Sequence, residues 1–234
     1  MTTMTTMHTQ WAAAAAAASI GAGCASLPPA EMELPAVLAT AAPQTIEGLK
    51  AGRSGQLQVA GETARYERGA SRLDVFGVIA QDRATVQYTL ARDGTAASCK
   101  LIGNTGAVGV VQVPLKRAAY ACEYRRDGAP LPQRLDLRAV DAAYGTRDER
   151  RGRFSAGTTV VELQSVHRVQ GSSLPLAAPI GYVFSHEGRP IGAVELNGLK
   201  PRLWRLDAPA PVAEAVTHAA IALALLWDPA QANP

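Results

Sequence analysis

The chain has 234 residues, room for one domain plus a leader, and 23 Lys and Arg against 20 Asp and Glu leave a formal charge of only +3. That balance argues against a nucleic-acid binder, which carries a concentrated basic face. Apolar residues make up 47% but aromatics only 5%, with 21 Gly and 15 Pro, which favours many short elements joined by turns.

No charged residue precedes Glu31, and residues 11–23 read WAAAAAAASIGAG. A bilayer-spanning helix needs roughly 20 apolar residues, so this run fits the apolar part of a secretory signal peptide instead. The segment before it, MTTMTTMHTQ, departs from that pattern in having no Lys or Arg. Ile20-Gly21-Ala22-Gly23-Cys24 resembles the lipobox of bacterial lipoproteins, although the family usually has Leu where Gly21 stands. The resemblance implies a signal peptide over residues 1–23 and acyl chains such as palmitate on Cys24. It also implies a lipid anchor in the bacterial cell envelope, with Ala25 pointing to the outer membrane, facing the periplasm. A plain signal peptide cut after Ala22 or Ala25 would instead leave a soluble periplasmic protein. Of three Cys, setting Cys24 aside leaves Cys99 and Cys122, which in an oxidising compartment read as one disulfide.

Residues 24–45 follow as a lipidated Cys and a Pro- and Ala-rich linker, and the domain is read as 46–234. Alternation then sets in: Leu57 and Val59; Leu73, Val75 and Ile79; Val86, Tyr88 and Leu90. Period-two runs with β-branched and aromatic residues are half-buried strands. Asp93-Gly94, Asp127-Gly128 and Glu187-Gly188 supply hairpin turns. Residues 145–153 (GTRDERRGR) read as a charged loop, and strands are expected at 158–170 and 201–207. The fold class is therefore mainly β, an antiparallel barrel or sandwich of about ten to twelve strands.

Residues 211–227 (PVAEAVTHAAIALALLW) break the pattern as one helix, opened by Pro211 and stopped by Asp228-Pro229. Glu214, Thr217 and His218 are its only polar groups, so most sides must be buried. Three placements stay open: the centre of a barrel, a second membrane anchor, or a cap on one open face of a sandwich. An antiparallel β-body ending in such a helix resembles the tubby-like and phospholipid-scramblase-like fold. That resemblance implies a closed barrel around a central C-terminal helix and association with membranes or lipid head groups. It carries no site residue onto this chain.

Ser165 and His167 share one strand face and are the weak candidate for a nucleophile and base, without an identifiable third group. Glu214 and His218 form an i, i+4 pair that reads as structural, a hydrogen bond at the barrel mouth, rather than as a metal site. No phosphate loop, dinucleotide fingerprint, zinc cluster or nucleophile elbow is present, and residues 103–109 (GNTGAVG) contain no Lys. No catalytic, cofactor-binding or metal-ligating residue is assigned. The expected function is a non-enzymatic envelope lipoprotein that binds lipid, glycan or a partner protein. A secreted hydrolase using Ser165 and His167 is the alternative.

Overall fold

In the computed structural model of the chain, the described residues are 30–75, 79–108, 111–140, 147–198 and 200–226. The expected leader with Cys24 lies outside them, as does Trp227 at the end of the expected helix. In chain order the elements are α1 (Ala36–Ala39), β1 (Gln44–Thr45), β2 (Ser54–Val59), β3 (Glu62–Val75), β4 (Ile79–Leu90), β5 (Ala96–Val108), β6 (Val111–Arg126), β7 (Ala129–Ala139), β8 (Arg150–Ala156), β9 (Thr159–Val166), β10 (Gly181–His186), β11 (Arg189–Glu195), β12 (Arg202–Arg205) and α2 (Ala210–Leu225).

From β2 to β12 every strand pairs antiparallel with its neighbour in sequence, and β1 adds to the far side of β12. The two edges of this sheet meet just beyond β1. The Glu47 N–H donates to the Gln58 carbonyl and the Gln58 N–H to the Glu47 carbonyl, both at 2.9 Å. This bridge turns the twelve strands into a nearly closed barrel, which removes the exposed edges an open sheet would present.

The inward faces follow period two, as with Val86, Tyr88 and Leu90 on β4 or Cys99 and Leu101 on β5. Against them sits α2, in which every residue from Ala215 to Leu225 is buried. A helix buried on all sides can lie only in a protein core or in lipid. Here the core is the barrel interior, so α2 is central. It lies directly against β8, β9, β11 and β12. On the other side tyrosines reach across from the wall: Tyr120 of β6 donates to the Ala222 carbonyl at 2.9 Å, and Tyr88 of β4 to the His218 carbonyl at 3.4 Å. Alanines along α2 leave room for both. Among the described residues no helix is long and apolar enough to cross a membrane.

Cys99 and Cys122 stand directly opposite each other on β5 and β6, with Cα atoms 3.9 Å apart, and form a disulfide inside the barrel wall.

The hairpins 60–61, 127–128 and 187–188 define a tight-turn rim, where Asp127, Gly128, Glu187 and Gly188 all take positive φ. Ala60 and Gly61 do the same at +52° and +79°, a turn that carries no Asn or Asp signal. The opposite end, the far rim, holds the longer connections. Strands β3 to β6, of 12 to 16 residues, extend furthest toward it. Two expectations need correcting. The loop read over 145–153 ends early, because β8 begins at Arg150. Its first residues, Arg150, Arg151, Gly152 and Arg153, offer no apolar alternation. Residues 30–45, read as linker, lie against the barrel instead: Met32 and Leu38 join Ile180 and Ala193 in a small second core.

Candidate functional site

Three polar groupings stand out inside or at the ends of the barrel. The first is at the tight-turn rim, where α2 enters. Arg92, in the β4–β5 turn, pairs with Glu62 at 3.0 Å and with Glu214 at 3.1 Å. Beside it Arg126 pairs with Asp93 and donates to the Thr95 hydroxyl at 2.9 Å. One turn deeper, His218 is 3% exposed and lies parallel to the Tyr124 ring, centroids 6.0 Å apart, with Phe154 edge-on. Glu214 turns outward to Arg92, so the expected Glu214–His218 hydrogen bond does not form. No protein group among the described residues hydrogen-bonds either ring nitrogen.

Burial lowers the pKa of His218 below its ordinary value, with Glu214 and Asp93 pulling the other way. The unfolded chain therefore binds more protons than the folded one in the window between the two pKa values. Stability is full above about pH 6.5 and falls as the pH drops below it, by up to about 1.4 kcal/mol per pH unit. Denaturant titrations at pH 7.5 and 5.5 should show this loss. His218→Leu should reduce the loss, and an unchanged slope in that variant would remove His218 as its source.

The second grouping is at the far rim, where β9 ends. Ser165 Oγ lies 3.0 Å from His167 Nε2, and His167 Nδ1 lies 3.0 Å from the Leu176 carbonyl oxygen. A carbonyl can only accept, so Nδ1 carries the proton and Ser165 donates to Nε2. The structure thus brings the two candidates together in the geometry of a nucleophile and base. The orienting group is a backbone carbonyl, and Ser165 Oγ also accepts from the Arg150 N–H at 2.9 Å. Leu176 N–H donates to the His167 carbonyl at 2.7 Å, so these bonds also hold the loop before β10 against the barrel end.

The third is a cavity of about 430 Å³ at the same rim, under the last turn of α2. Leu49, Ile180, Leu196, Leu223 and Leu226 give it apolar walls, while Arg68, Arg150 and Tyr182 bring polar atoms to it. Burial lowers the pKa of the Arg68 guanidinium, although Tyr66 beside it acts in the opposite sense. Nothing in the sequence analysis singled these residues out. The available signal was an arginine on an inward face: Arg68 continues the line of Ala64 and Tyr66, and Arg150 that of Gly152 and Phe154.

Among the described residues no group of three or more His, Cys, Asp or Glu is placed to hold a metal ion. No family model, curated protein or solved structure matches the chain.

Proposed function

We propose that the chain is a non-enzymatic lipoprotein of the bacterial cell envelope, anchored through Cys24, that binds lipid at the far rim of its barrel. The observation that carries this reading is that the chain enters the fold at the rim where the apolar cavity opens. Asn197 Nδ2 donates to the Ala30 carbonyl at 2.6 Å, and Met32 N–H donates to Glu195 at the end of β11 at 2.7 Å. Five residues separate Cys24 from Ala30, and the six steps between them would span at most about 22 Å when extended. A lipid on Cys24 would therefore keep the cavity close to the bilayer surface. The ends of the long hairpins support the same orientation. Near the end of β3, Leu73 is 61% exposed. Placement in the outer membrane rests on Ala25, and kinship with the tubby-like and scramblase-like fold on the barrel around a central C-terminal helix.

Several acyl chains hold a protein on a membrane far more firmly than one does. Cys24→Ser should move the protein from the membrane fraction to the soluble one. Full retention of the variant on membranes would overturn the anchor.

The 3.0 Å contact between Ser165 and His167 favours one second reading, a hydrolase acting on an ester in the separate surface pocket that these two residues line with Leu34 and Arg147. Ser165→Ala would then abolish hydrolysis of short p-nitrophenyl esters. Equal rates for both proteins would leave the pair its loop-holding role.

A further inference from the structure

Resting on the membrane-anchored reading above, we propose that the loop between β9 and β10 is a second membrane contact. Its tip, at Leu174 and Leu176, enters the head-group layer of a phospholipid bilayer.

Three observations carry this contact. The first is exposure. Leu174 is 76% exposed, the highest value of any large apolar side chain among the described residues, and Leu176 is 44% exposed. Only Pro175 stands between them, and no charged residue lies between Arg168 and His186. Leucines held in water gain free energy from any apolar cover, and an uncharged loop has no ionic group to desolvate when it enters lipid.

The second is order. Leu176 N–H donates to the His167 carbonyl at 2.7 Å, His167 Nδ1 donates to the Leu176 carbonyl at 3.0 Å, and Asp148 N–H donates to the Ala177 carbonyl at 2.9 Å. At the tip Leu174 N–H donates to Ser172 Oγ at 3.3 Å, and that hydroxyl donates to the Leu174 carbonyl at 3.2 Å. The leucines are thus held outward by a braced loop, which gives up little conformational freedom on contact. In this arrangement the Ser165–His167 pair is part of the brace.

The third is position. Gln170 N–H donates to the Glu31 carbonyl at 2.7 Å and Glu33 N–H to the Arg168 carbonyl at 2.9 Å. The segment leading back to Cys24 therefore joins the barrel against the start of this same loop. A lipid on Cys24 raises the effective concentration of bilayer at the loop, so that two leucines suffice where they would be too few alone. Strands β3 and β4, which reach furthest toward this rim, stand across the ring from β9 and β10. Contact through the loop therefore tilts the barrel toward its β9–β10 side.

An apolar contact needs no anionic lipid, so phosphatidylcholine vesicles serve as the probe. The full-length protein is combined with them by detergent removal and carries one added indole, in Leu174→Trp. The site is exposed, so the variant should keep the fold, which circular dichroism checks. Its emission, taken as the difference from wild type, should shift to the blue. Roughly half or more of it should be lost when chain-brominated phosphatidylcholine replaces the ordinary lipid. Val160→Trp, at a 40% exposed site near the start of β9 and so toward the other rim, should show neither change. An unquenched indole at position 174 would overturn the proposal, as would equal quenching at position 160. So would a blue shift that appears without vesicles and grows with protein concentration, because a second copy would then cover the leucines. Cys24→Ser reads the anchor separately. If that variant stays on membranes while the indole at 174 is quenched, the anchor fails and the loop stands. If it leaves them while the indole in the protein with Cys24 intact is unquenched, the loop fails and the anchor stands.

Discussion

Ile221→Asp is expected to unfold the protein. Ile221 is 0% exposed, on a helix whose residues from Ala215 to Leu225 are all buried, so no rotation of α2 could bring a carboxylate to water. An unpaired buried charge costs several kcal/mol, and natural domains have only about 5–15 kcal/mol to lose. Ala220→Gln should be nearly as damaging, because Ala220 is fully buried and a longer side chain has nowhere to go. Removing residues 210–234 should leave an insoluble or unfolded product. Circular dichroism and a cooperative urea transition provide the check, and a soluble, cooperatively folding truncation would mean that the barrel does not need its helix.

The second large effect concerns the disulfide. Cys99 and Cys122 are 23 residues apart in sequence, and cross-linking a loop of that size stabilises by about 3 kcal/mol in the chain-entropy model. For a protein of this length the loss should lower the Tm by roughly 6–12 °C. Urea titrations of the oxidised and reduced wild type measure it without any substitution. Cys99→Ala with Cys122→Ala should fall at or below the reduced protein, since both sites are buried and lose a sulfur's packing. Two alkylatable thiols in the unreduced, denatured protein would show that the bond is absent.

Much of the fold could be read in the sequence because the barrel wall is one long meander. Local pairing means that each strand's alternation and each turn's glycine sit next to each other in the chain, as at Asp127-Gly128 between β6 and β7. The apolar helix announced itself by length and by its prolines. What stayed hidden had local sequence that contradicted its environment. The start of β8 puts Arg150 inward and Arg151 and Arg153 outward, a pattern indistinguishable from a charged loop. His218 looked like half of an i, i+4 pair, but Glu214 leaves it for an arginine 122 residues away. Ser165 and His167 could be picked out by their spacing. Their orienting partner is a backbone carbonyl at Leu176, and a carbonyl has no signature in sequence. The cavity is drawn from separate segments between Leu49 and Leu226, and no short window contains more than a few of its residues.

The position of α2 at the end of the chain also sets the order in which the molecule can be built. Synthesis delivers eleven successive hairpin-linked strands before a single turn of the helix that fills them. Ring closure waits as well, because β1 at Gln44–Thr45 has its partner in β12 at Arg202–Arg205. Until residues beyond 210 emerge, the inward tyrosines and leucines lack the helix they pack against in the finished barrel. At about 5–20 residues per second, the wall strands exist for most of the synthesis time without their central helix. The wall can therefore reach its final packing only after residues 210–225 have joined it.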